Sequence, residues 1–210
     1  MSNEHIIFAG IKSKDIYRFS EVDRDYAILL EYDTQVAFYS PAQMGLRIEK
    51  NPEKFIDLNF WVMNENKLER LVYIHKGDLT IDHWKEAVTC LKDTKEVFTP
   101  ITEQTIQREP RCSNLRLLWK YADEEIQMGH LALLNKFFAK IQLPNLGKLQ
   151  MFFEDHYIDK NVVYTFIFRK LLVCNIRDFK LSKGSVILPN PNLEIGENWK
   201  RKFEETIEFF

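Results

Sequence analysis

The chain has 210 residues, 45% of them hydrophobic and 29% charged, with 29 Lys+Arg against 31 Asp+Glu and a formal net charge of -2. That composition excludes a disordered or collagen-like chain, and the near-neutral balance gives no global pull toward nucleic acid or an acidic membrane. Seven glycines, never at G-x-G or G-x-x-x-x-G-K spacing, exclude the standard phosphate-cradling loops.

The N-terminal half reads as β-rich. Ala27–Tyr32 and Gln35–Tyr39 suggest a hairpin across Asp33-Thr34. Phe55–Met63 alternates, with Ile56, Leu58, Phe60 and Val62 on one face. Asn64-Glu65-Asn66-Lys67 is a polar turn, and Leu68–His75 returns with Val72 and Ile74 on one face. Thr80 then caps a helix whose apolar stripe is Ile81, Trp84, Ala87, Val88 and Leu91. Residues 96–112 lose periodicity and carry Pro100 and Pro110, which marks a linker or long loop between a subdomain 1–95 and a subdomain 113–210.

Ser113 caps a long helical pattern through Leu115, Leu118, Trp119, Ala122, Ile126, His130, Leu134, Phe137 and Ile141, with Gly129 as a point of division. Leu149–Tyr157 and Val162–Cys174 flank Ile158–Asn161 in the manner of a β-hairpin, and Asn198–Phe210 reads as a closing helix. Strands, then helices, a hairpin and a helix define an α+β fold rather than alternating α/β.

Asp57 followed by Glu65-Asn66-Lys67 resembles the acid plus E-x-K arrangement of metal-dependent nucleases of the restriction-endonuclease type. The resemblance implies carboxylates around a divalent cation and a lysine beside the attacking water. Here the triplet falls in a turn, where its side chains splay into solvent. Glu154 and His156 on one strand face, with Asp159 nearby, form a weak metal-ligand set. No two of the five histidines have helical ligand spacing, and Cys90, Cys112 and Cys174 include no C-x-x-C. His83 and Cys90 lie two helical turns apart, too far to act as a dyad. No cofactor is expected.

Residues 136–183 hold nine Lys/Arg against four acids, interleaved with Phe and Tyr, which would suit a nucleic-acid-binding module. The closing segment carries Trp199, Phe203, Ile207 and Phe210 as a narrow apolar stripe. Lys200-Arg201-Lys202 open it and Glu204, Glu205 and Glu208 follow, an order that opposes the helix dipole. Such a short helix needs a surface to pack on.

The leading expectation is therefore a non-enzymatic protein acting through contacts with another protein or a second copy, as an accessory, inhibitory or structural part of an assembly. The nuclease-like and nucleic-acid readings are the alternatives. With no secretory leader and no apolar run long enough to cross a membrane, the chain reads as soluble, intracellular and cytoplasmic. Enrichment in Phe, Ile, Lys, Asn and Glu with few Gly fits an AT-rich coding genome, viral or low-GC bacterial.

Overall fold

The computed structural model describes residues 5–42, 45–48, 51–75, 77 and 97–192. The expected helix from Thr80, with His83 and Cys90, and the expected helix 198–210 lie outside them. The chain divides into two units, residues 1–108 and 109–210, and its mixture of helices and sheets is an α+β fold.

The first unit begins with β1 (Ile6–Ala9) paired antiparallel to β2 (Ile16–Phe19). Helix α1 (Glu21–Tyr32) follows, where a strand was expected over Ala27–Tyr32. Ser20 caps it, its Oγ accepting from the Asp23 amide at 3.3 Å, and Glu21 and Asp23 meet the positive end of the dipole. The apolar run Ala27, Ile28, Leu30 is buried as the core face of this helix.

Strands β3 (Val36–Pro41), β6 (Phe60–Asn64), β7 (Glu69–His75) and β8 (Val97–Thr102) form a sheet in the order β3-β6-β7-β8. β4 (Gly45–Ile48) and β5 (Asn51–Asp57) pair separately. The hairpin β6–β7 turns at residues 65–67, as the polar cluster predicts, with Lys67 at φ 63°.

Phe60, Val62, Val72 and Ile74 are all buried, and Phe60 meets Phe19, Tyr26 and Tyr39 at ring-centroid distances of 5.4, 5.2 and 6.1 Å. Leu58 leaves the face predicted for it. It packs with Leu71, Trp61 and Phe98 on the other side, because the strand breaks at Leu58-Asn59 and a one-residue slip reverses every face. Asn59 fills that break with its side chain: Nδ2 donates to Asp23 Oδ1 of α1, and Oδ1 accepts from the Ile74 amide at 2.7 Å.

The segment 96–112, expected as a linker, is built of regular structure where it is described. β8 runs parallel to β7 at the edge of the sheet, where Pro100 costs no ladder bond in a central strand. Helix α2 (Glu103–Ile106) follows, and Pro110 stands at the start of α3 (Arg111–Trp119), where a missing N–H is tolerated.

The second unit is mainly helical. The long predicted helix is two, α3 and α4 (Met128–Lys140), separated at residues 120–127 rather than at Gly129. The predicted β-hairpin is instead the helix pair α5 (Leu146–Glu154) and α6 (Val162–Phe168). Asn145 caps α5 through its Oδ1, which accepts from the Lys148 amide at 2.9 Å. The run Val-Val-Tyr-Thr-Phe-Ile-Phe favours a strand by local propensity, but six of its seven residues are buried, as in a helix enclosed on most sides. Phe166, Phe153 and Phe137 are fully buried, with Phe153 and Phe166 5.8 Å apart. The two-residue strands β9 (Leu172–Val173) and β10 (Leu188–Pro189) close the unit. No described helix is long and apolar enough to cross a membrane.

Candidate functional site

Asp57 ends β5, exposed, while Glu65 and Lys67 sit exposed in the β6–β7 turn, belonging to a different sheet. The turn amide of Glu65 is tied to the Gln35 carbonyl at 2.8 Å.

Glu154, His156 and Asp159 each face a partner of their own. Lys160 Nζ donates to Glu154 Oε1 at 2.6 Å, the His156 Nδ1 lies 2.8 Å from the Phe152 carbonyl, and Asp159 Oδ1 accepts from the Asn161 amide. Their expected shared strand face does not exist, because Glu154 ends α5 and the chain turns immediately after it. Among the described residues, no group of three or more His, Cys, Asp or Glu is placed to hold a metal ion.

The basic aromatic stretch 136–183 is divided by the fold. Phe137, Phe138, Phe153, Phe166 and Phe168 are buried, and Tyr164 stacks on Tyr121 at 5.2 Å. Arg169 spends its guanidinium on the Ala122 carbonyl, at 3.2 and 3.1 Å, and Lys148 Nζ reaches the Leu143 carbonyl. Trp199, Phe203, Ile207 and Phe210 lie outside the described residues.

The site that the structure adds is a groove of about 840 Å³ along β9, β10 and the loop between them. Its walls carry Val173, Phe179, Val186 and Leu188, with Lys180 and Ser182 among its polar members. Phe179 is 67% exposed, and Val173 and Val186 are exposed beside it. A large aromatic left in water usually reflects a loop free to move. Here the loop is held from beneath by one side chain, that of Asn114 in α3, itself 2% exposed.

The Asn114 amide nitrogen donates to the carbonyls of Ile176 and Phe179 at 2.8 and 2.7 Å, and its oxygen accepts from the Leu181 amide at 2.9 Å. The loop thus has its backbone satisfied internally and cannot fold Phe179 inward without breaking buried hydrogen bonds. Asn175 adds a turn by accepting from the amides of Arg177 and Asp178. The same loop is also tied to α5, whose Gly147 and Leu146 amides donate to the carbonyls of Lys183 and Ser185 at 2.8 and 2.9 Å. An added Cβ on Gly147 would lie 2.9 Å from the Lys183 Cβ, so only glycine permits that approach. Ile176 and Ile187 point the other way, into the core.

Cys174 also lines the groove, and burial pushes its thiol up to about 11. A thiol raised by burial is a weak nucleophile near neutrality. The groove is therefore a preformed, largely apolar surface with Lys180 in its lining.

Sequence reasoning passed over this site. Phe179 is an apolar residue between Asp178 and Lys180 with no periodicity to mark a face, and the residue that holds its backbone stands more than sixty positions earlier. The one local signal was a large aromatic between Asn175 and Gly184, both turn formers.

No protein-family model matches the chain, and no curated protein is similar to it.

Proposed function

We propose that this protein works inside the cell through protein–protein contacts, without catalysing a reaction, and that the groove of the second unit is where a partner segment docks. The observation that carries this reading is the clamped exposure of Phe179 beside Val173 and Val186. A rigid apolar surface loses little conformational entropy on binding, so burial of its side chains translates efficiently into affinity. The volume, about 840 Å³, suits two or three large side chains rather than a flat face.

The loop also sets the chemistry of the partner. Arg177, Lys180 and Lys183 stand against a single acid, Asp178, over residues 176–186. A segment with spaced aromatic or aliphatic side chains and acidic residues between them complements both features. The weakly reactive Cys174, and the separate engagement of Glu154, His156 and Asp159, support a binding role over a catalytic one.

Selection of displayed random peptides on the full chain tests the reading. The selected sequences should share apolar residues interspersed with Asp or Glu, and Val173→Asp should weaken their binding at least tenfold. Peptides that bind the Val173→Asp chain as well as the parent would overturn it.

A further inference from the structure

We infer that the chain's own C-terminal segment, through Trp199, Phe203 and Ile207, occupies this groove in cis. The inference rests on the docking reading and names the first ligand of that site.

Three observations converge on this occupant. The first is where the described chain leads. Leu188 lines the groove, and the Asn190 amide donates to the Leu171 carbonyl at 3.1 Å, while its side-chain nitrogen donates to the Lys170 carbonyl at 2.7 Å. The exit at Asn192 is thus fixed beside the groove's own strands. Six residues, 193–198, separate it from Trp199, so the two lie at most about 25 Å apart. The apolar stripe is consequently tethered within reach of an apolar surface, which makes its docking an intramolecular event at high effective concentration.

The second is chemistry. The stripe offers large apolar side chains at helical spacing, and the groove offers Phe179, Val173 and Val186 exposed on its walls. The third is charge. Glu204, Glu205 and Glu208 sit along the stripe, and among the described residues no acid pairs with Arg177, Lys180 or Lys183. Docking would bring these acids toward those cations. An external partner must then displace the tethered segment, so its apparent affinity is set by the competition.

A photoreactive benzophenone amino acid in place of Phe203, in the full chain, tests this directly. Irradiation should cross-link position 203 to residues 172–188 within chains of monomer mass, and Val173→Asp in the same chain should reduce that product at least tenfold. Cross-links to other regions, or to 172–188 only in species of dimer mass, would overturn the inference, the latter making a second copy the occupant.

A second measurement separates failure here from failure of the docking reading. Phe203→Asp removes the tethered competitor, so the peptides selected above should bind that chain at least fivefold more tightly than the parent. Unchanged affinity, with binding still sensitive to Val173→Asp, would sink the tethered segment while leaving the groove a docking site. Insensitivity of both the cross-link and the peptides to Val173→Asp would sink both.

Discussion

Each unit buries a polar side chain that organises a loop, and the two do so to opposite ends. In the first unit the Glu31 carboxylate, 6% exposed, accepts from the Lys12 amide at 3.1 and 3.2 Å and from the Tyr39 hydroxyl at 2.8 Å. The Lys12 ammonium turns back onto the carbonyls of Leu30 and Asp33, capping the C-terminal end of α1. Gly10 lies so close that an added Cβ would stand 2.7 Å from the Tyr39 hydroxyl and 2.9 Å from Glu31 Oε1. The loop between β1 and β2 is thereby closed over the core. In the second unit Asn114 makes as many bonds, but to the inner side of a loop whose outer side presents Phe179 to solvent. The same device, a buried polar group satisfied by a distant backbone, seals one unit and holds an apolar surface open to solvent on the other.

The largest effect that can test this contrast comes from the apolar cores common to both. Phe60→Ala in the first unit and Phe166→Ala in the second each remove a fully buried ring, and each should cost about 3–5 kcal/mol in denaturant unfolding. A cost below about 1 kcal/mol at either position would mean that the ring is not packed as described.

Asn114→Ala should come next, at roughly 3 kcal/mol, because it strands two carbonyls and an amide that water reaches poorly. Its signature is local as well as global. Amide exchange at Leu181 should accelerate, and binding of the selected peptides should fall even under conditions where the chain remains folded. If Asn114→Ala lost stability yet left peptide binding unchanged, the clamp would be a core feature only, and the contrast between the units would fail.

What could be read in advance follows the range of the forces involved. The β6–β7 turn and the burial of Phe60, Val62, Val72 and Ile74 follow from local alternation, and the structure agrees with both. Helix α1 was legible too, in Ser20 followed by Asp23, but the β-branched and aromatic content nearby outweighed that capping signal. The sequence Val162–Phe168 misleads for a physical reason: a helix buried on most of its surface has no polar face to give a period. The face of Leu58 depended on a two-residue break that no alternation count reveals. The groove depended on Asn114, whose partners lie in a loop that sequence distance hides altogether. Residue type and spacing do not place the catalytic or metal-ligand candidates together: Asp57 ends a strand of a different sheet from the turn that holds Glu65 and Lys67, and Glu154 ends a helix before the turn that carries His156 and Asp159.

The smallest expected effect sharpens the other half of the comparison. Burial raises the Glu31 carboxyl above its ordinary value of 4.5, against the lowering influence of the Tyr39 hydroxyl, the Lys12 amide and the Lys12 ammonium. The folded chain therefore holds this proton more tightly than the unfolded chain does. Its contribution to stability is fully present below pH 4.5 and is lost as the pH rises through the raised folded value. Glu31→Gln keeps an acceptor for Tyr39 but cannot titrate, and its new amide nitrogen faces the Lys12 N–H. The parent should accordingly be more stable than Glu31→Gln at pH 4, with the gap narrowing toward pH 7, as urea midpoints across that range would record. A gap that stays constant with pH would mean that the carboxylate is as well solvated in the folded chain as outside it, and the closed loop over Glu31 would then be no more sealed than the open one over Phe179.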